Sequence, residues 1–168
     1  METWLPFDLH PEYPPEGIPR ARLHARYGDR FHDGLKARFE SLGLAYNPPP
    51  DVVPNSRRAL RLTELARDRG LHGPMHDRLM DAYWAEARNI GDPGVLRELA
   101  AEVGLDGVDE VLLDGRTYLD RVLASTEQAQ SIGINGIPAF LLDGRLLVLG
   151  AQPEEVFEQA FAQIAAQA

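Results

Sequence analysis

Residues 133–150 read GINGIPAFLLDGRLLVLG, and this stretch constrains the fold more than any other. Two short apolar runs, Pro138–Leu142 and Leu146–Leu149, flank Asp143-Gly144. Asp-Gly between strand-like runs predicts a tight β-hairpin, because both residues tolerate positive φ. Upstream, Gly133 and Gly136 bracket Ile134-Asn135, and Ile137 leads into Pro138. Proline donates no ladder hydrogen bond, so Pro138 belongs at the strand's first residue or beside a loop. Downstream, Gln152–Ala166 predicts an amphipathic helix. Pro153 suits its first position, Glu154-Glu155 complement its dipole, and Val156, Phe157, Ala160, Phe161 and Ile164 share a face.

Toward the N-terminus the pattern changes. Thr3–Leu9, TWLPFDL, predicts a short strand that Pro6 moves toward a sheet edge. Two proline-rich connectors, His10–Pro19 and Ala45–Pro54, enclose a predicted helix over Arg20–Leu42. Its Leu23, Tyr27, Phe31, Leu35 and Phe39 recur every four residues, and Gly43 is placed to end it. Asn55-Ser56 opens a helix through Arg69, with Leu60, Leu62, Leu65 and Ala66 on its apolar face and Gly70 as terminator. Further helices are predicted over Gly73–Arg88, with Met75, Leu79, Met80, Tyr83 and Trp84 inward, after the cap Asp92, and over Arg116–Ile132. The order is strand, several helices, hairpin, helix. Runs of helices between strands imply a helical subdomain inserted into an α/β core.

The 168 residues are 44% hydrophobic, enough for one domain with a real core. The net charge of −9 argues against nucleic acid or an anionic membrane as a main partner, since both require a basic face. No apolar run approaches membrane-spanning length, and METWLPFDLHPEYPP lacks the form of a signal peptide, so the expected location is cytoplasmic. There are 0 cysteines, which excludes disulfides, thiolate metal sites and a thiol nucleophile within these residues.

Other chemistry-bearing residues carry weaker signals. His72 and His76 have metal-ligand spacing, but Gly73-Pro74 is expected to interrupt their helix, so no metal site is expected. Ser56 lies beside Arg57 and Arg58 with no identifiable base, which fits a cap better than a nucleophile. His10, His24 and His32 are scattered. Tyr83-Trp84 falls on an apolar face, and Arg20, Arg22, Arg26 and Arg30 read as a solvated face.

WLPFDLHPEYPPEGIPR, VPNSRRAL, NIGDPGVLRELAAEVGLD and GINGIPAFLLDGRLLVLGAQP, in that order and spacing, resemble the DsbA-like thioredoxin superfamily. The branch most similar is that of the FrnE-like cytoplasmic oxidoreductases, related to 2-hydroxychromene-2-carboxylate isomerase and kappa-class glutathione transferase. The resemblance implies an α/β, thioredoxin-like fold with an all-helical insertion. Residues 1–15 and 133–168 would form a partial thioredoxin-like core, and 16–132 the helical insertion and return helix. It also implies a cis bond at Ile137–Pro138, in a loop that faces the family's redox motif. There Gly136, Ile137 and Pro138 would receive an extended substrate through backbone hydrogen bonds. Asn55 would open the helix bordering that cleft, although a plain N-cap, which the sequence alone supports, is favoured over that role. The implied partners are protein or peptide thiols and disulfides, or glutathione. No cofactor, metal or catalytic residue is expected.

The family's chain opens with a strand, a Cys-x-x-Cys motif and a helix before the strand that resembles Trp4–Leu9. Here Met1 almost abuts that strand, so the first strand and first helix of the core are missing. Three expectations follow: a start placed too late in a longer, redox-active protein; elements supplied by another chain; or a redox-inactive binding module. An open sheet edge would favour a homodimer filling the gap, whereas Trp4–Leu9 paired directly to the hairpin would mean a closed monomer.

Overall fold

The computed structural model describes residues 3–27, 29–47 and 50–166, with all their side chains except those of 24, 26, 27 and 29–33. The side-chain readings for His24, Arg26, Tyr27, Arg30, Phe31 and His32 therefore lie outside the described residues. The order is β1 (Ile18–Pro19), α1 (Arg20–Tyr27), α2 (Asp29–Ser41), β2 (Val52–Val53), α3 (Arg57–Asp68), α4 (His72–Trp84), α5 (Pro93–Glu102), α6 (Val108–Leu112), α7 (Leu119–Ser131), β3 (Ala139–Leu142), β4 (Leu146–Leu149) and α8 (Glu154–Ala165). Two antiparallel ladders form separate sheets. Ile18 lies opposite Val53 in the first, and Ala139 opposite Leu149 and Leu142 opposite Leu146 in the second.

Helix α3 is the hub. It packs against α4, α6 and α7, and α5 closes the body against α4 and α6. Ala59, Leu62, Leu65 and Ala66 supply its buried stripe, which meets Met75, Leu79, Leu96, Leu99 and Val111. Sequence signals at the helix ends operate as read. Asp92 Oδ1 accepts the Val95 N–H at 2.9 Å, with Pro93 in the first helical position. Gly43 and Gly70 end α2 and α3 with φ of +67° and +72°. One glycine is required by space as well: a Cβ on Gly17 would lie 2.3 Å from the Val53 carbonyl oxygen.

A buried arginine ties the body to its loops. Arg61 donates from Nε to the Thr117 carbonyl and from Nη2 to the Val111 carbonyl, each at 2.6 Å, and also to the Asp114 carbonyl. These bonds hold the turn after α6 against the middle of α3.

Several elements depart from the sequence reading. Thr3–Leu9 forms no strand, because side chains rather than a ladder satisfy its backbone. Arg67 donates to the Trp4 carbonyl at 2.5 Å, Ser125 to the Pro6 carbonyl at 2.7 Å, and the Asp8 N–H donates to Thr126 Oγ1 at 2.9 Å. The segment is thus fixed to α3 and α7 instead of pairing with the hairpin. Within the helix expected over Arg20–Leu42 the described residues form α1 and α2, and residue 28 between them lies outside the described residues. Gly73-Pro74 does not interrupt the α4 helix, since Pro74 falls in its first turn, where an amide donor is not needed. That helix stops at Trp84, short of Arg88, and Ala87 has a positive φ of 56°. Met80, expected inward, is exposed, as are Val156 and Phe161 on the apolar face expected for the last helix. Arg20 is not a solvated residue: its Nε donates to the Pro50 carbonyl at 2.7 Å and its Nη2 to the Tyr83 hydroxyl at 3.2 Å.

The C-terminal unit is a hairpin under one helix. The hairpin loop is residues 143–145, in which Asp143 and Gly144 take φ of +51° and +65° and the Arg145 N–H donates to the Leu142 carbonyl at 3.0 Å. Phe140 packs edge-to-face on Phe157 of α8, with ring centroids 5.0 Å apart, and its cross-strand partner Val148 is buried. Among the described residues, no helix is long and apolar enough to cross a membrane.

Candidate functional site

The loop between α7 and β3 is shaped by chain-reversal chemistry at both ends. Helix α7 ends through Gly133, with φ of +89°. The Gly133 N–H donates to the Gln130 carbonyl at 3.0 Å, and the Ile134 N–H to the Ala129 carbonyl at 3.0 Å. This is the glycine-terminated cap whose following apolar residue packs back on the helix, and Ile134 is accordingly buried. At the other end, the Pro138 carbonyl accepts the Gly150 N–H at 2.8 Å, which starts the hairpin.

Between these anchors lies a short exposed bridge. Asn135 donates from Nδ2 to the Gly133 carbonyl at 3.2 Å and steadies the turn. Gly136 follows, and a Cβ built there would meet nothing within 4 Å. Ile137 is 58% exposed, and its peptide bond to Pro138 is cis. Among the described residues, no hydrogen bond uses the backbone N–H or carbonyl of Gly136 or Ile137. The structure therefore brings Gly136, Ile137 and Pro138 together as a solvent-facing edge with free backbone groups at the mouth of a strand.

Asn55 is placed differently. It is 9% exposed, with Nδ2 donating to the Tyr13 carbonyl at 2.7 Å and Oδ1 accepting the Arg57 N–H at 3.0 Å. Both polar ends of its side chain are committed to holding the 10–14 connector against the start of α3. No hydrogen bond joins it to residues 136–138 among the described residues. Ser56 occupies the cap position of α3 and makes no side-chain capping bond.

Sequence reasoning missed a buried ion pair next to Asn55. Asp8 is 2% exposed and accepts Arg57 Nε at 2.6 Å. Thr126, which accepts the Asp8 N–H, donates its own hydroxyl to the Val122 carbonyl at 2.8 Å. A shallow cleft of about 290 Å³ opens beside them, lined by Asp8, Pro11, Leu123, Thr126, Glu127 and Gln130. The two charged partners lie 49 residues apart, and no local pattern could have paired them. A larger depression between α5 and α6, of about 560 Å³, is lined by Arg97, Asp106, Asp109 and Glu110, with Arg97 Nε paired to Asp109 at 2.7 Å.

The histidine pair belongs to a ring stack. His76 lies 4.5 Å from Trp4 and 6.1 Å from His72, centroid to centroid. Burial, reinforced by Arg67, holds the His72 pKa below its ordinary 6.5. No group of three potential metal ligands occurs among the described residues. Tyr83 and Trp84 join Phe39 and Tyr46 in an aromatic cluster at the end of α4.

Residues 3–162 match the DSBA-like thioredoxin domain, and the chain belongs to that family. The YwbO protein of Bacillus subtilis (strain 168), itself uncharacterised, is 30% identical over 159 residues, spanning 94% of this chain and 78% of that protein. The crystal structure of a probable DsbA oxidoreductase from Streptomyces coelicolor aligns with a TM-score of 0.87 at 34% identity, covering 96% of this chain and 74% of that one. The fold is therefore thioredoxin-like and α/β, mostly helical with few strands. These 168 residues contain no cysteine, so they cannot themselves carry out thiol–disulfide exchange.

Proposed function

We propose that this chain is a FrnE-like, redox-inactive member of the DsbA family that holds an extended polypeptide segment along Gly136–Pro138. The observation that carries this reading is the adjacent pair of half-buried Gly136 and exposed Ile137, whose backbone groups have no hydrogen-bond partner among the described residues, at the entrance to β3. An extended segment completes such an edge through main-chain hydrogen bonds, which tolerate many side-chain sequences. Gly136 leaves room for the close approach. No thiolate of the chain's own is available for exchange, so binding is the activity left to the site. Segment 132–142 carries no charged side chain to receive the two carboxylates of glutathione, which favours a polypeptide over glutathione. The resemblance to cytoplasmic FrnE-like proteins supports a cytoplasmic location.

Titration with a reduced, carboxymethylated unfolded protein tests this. Gly136→Val should weaken binding at least about tenfold with unchanged thermal stability, since a side chain there meets nothing within 4 Å in the free chain. Equal affinity for the variant, saturable binding of glutathione, or acceleration of insulin reduction by the chain would each contradict the proposal.

A further inference from the structure

The loop at Gly136–Pro138 stands among side-chain charges of one sign. Two stretches frame it: 122–166, which contains it, and 3–14, which lies along α7 through the bonds to Ser125 and Thr126. The cationic side chains of these stretches are His10 and Arg145, and each sits on a carboxylate, His10 on Glu12 and Arg145 on Asp143. The Asp8 charge is answered by Arg57. Four exposed carboxylates are left over, Glu127 on α7 and Glu154, Glu155 and Glu158 on α8. None of them forms an ion pair among the described residues.

These carboxylates bracket the loop. From Glu127 to Gly133 is about 9 Å along α7. On the other side Glu154 opens α8 soon after Gly150, whose N–H donates to the Pro138 carbonyl. Helix α7 also aims its carbonyl end at the loop, and its last turn holds no basic side chain to offset that partial negative charge.

A cleft along α7 adds shape to the charge. Leu123, Thr126, Glu127 and Gln130 share one face of the helix, and Asp8 and Pro11 close the cleft of about 290 Å³ against it. Gln130 joins cleft to loop, because its carbonyl accepts the Gly133 N–H. Leu123 is 42% exposed and offers an apolar wall, while Glu127 is the one charge lining the cleft without a partner among the described residues. An apolar wall leading to a lone carboxylate suits a long aliphatic stem that ends in a cation.

Resting on the reading that Gly136–Ile137 receives an extended polypeptide, we propose that the segment it takes is cationic. One of its lysine or arginine side chains enters the cleft, with its stem on Leu123 and its head at Glu127, about three residues of extended chain from the loop. Complementary charge selects the segment and speeds its approach, and the backbone edge holds it.

Anisotropy titration with three labelled peptides of one apolar scaffold, carrying lysine, glutamine or glutamate at alternate positions, tests this. The lysine peptide should bind at least about tenfold tighter than the glutamine peptide, and the glutamate peptide more weakly than both. Raising the salt from about 50 to about 500 mM should erase most of that preference. Glu127→Gln should lower the lysine-to-glutamine affinity ratio at least about threefold, whereas Asp77→Asn, at an exposed carboxylate of α4, should leave the ratio intact. Gly136→Val should weaken all three peptides. Equal affinity for the lysine and glutamine peptides, both weakened by Gly136→Val, would overturn the cationic preference and leave the reading of the loop standing. A ratio that survives Glu127→Gln would overturn the assignment of the cleft. Glutamine-peptide binding that Gly136→Val leaves unchanged, or no binding by any of the three, would sink the reading of the loop and this inference with it.

Discussion

The helical body and the C-terminal hairpin unit are both rich in leucine, and they differ in how they hide it. In the body Leu62, Leu96 and Leu99 are 0% exposed, whereas in the hairpin Leu141 and Leu149 remain about half exposed. The difference follows from geometry. Helix α3 is surrounded by α4, α6 and α7, so its apolar stripe finds partners along its length. A two-stranded sheet has two faces, and α8 covers one. The body therefore carries the stability, while the hairpin unit presents the loop and the face that other molecules can reach. On the proposed function, stability and binding fall to two parts of one fold.

Core truncation should separate the two parts most sharply. Leu62→Ala or Leu96→Ala should cost about 2–5 kcal/mol in urea unfolding, because each leaves a closed cavity. Leu149→Ala should cost under about 1 kcal/mol. Equal costs would erase the distinction. Arg61→Met should cost at least about 2 kcal/mol, since the carbonyls of Val111, Asp114 and Thr117 lose their shared donor. Removing the cap with Asp92→Ala should cost about 1 kcal/mol, with the unfolding slope unchanged.

The smallest expected effect is a pH dependence inside the body. His72 titrates below its ordinary 6.5 when folded, chiefly because it is buried. Between that folded value and 6.5 the unfolded chain binds the extra proton. Its contribution to stability is therefore complete above 6.5 and falls as the solution is acidified below it. His72→Asn should flatten the urea midpoint against pH in that window. An unchanged profile would place the acid sensitivity elsewhere.

What was legible in the sequence was the chemistry of short spans. Asp143-Gly144, Asp92-Pro93, Gly43 and Gly70 each act within one turn of their own position, and the structure uses all four as read. The loop at Gly136–Pro138 was visible for the same reason, its glycine and proline spacing being local. Contacts between distant residues were not legible. Thr3–Leu9 has strand-like composition, but its backbone is satisfied by Arg67, Ser125 and Thr126, which no periodicity points to. The Asp8–Arg57 pair and the double commitment of the Asn55 side chain were hidden in the same way. Helix α6 spans 5 residues, too few to show a helical period. The exposure of Leu141 and Leu149 was equally unreadable, because two uninterrupted apolar runs do not say which side chains will be covered.

On the proposed function, the free backbone edge at Gly136–Ile137 engages an extended polypeptide. Amide hydrogen exchange, recorded with and without a reduced, carboxymethylated unfolded protein, tests it most directly. New protection is expected at the Gly136 and Ile137 amides, with the amides of α3 to α5 unchanged. Unaltered exchange at those two amides, or new protection confined to the helical body, would contradict it.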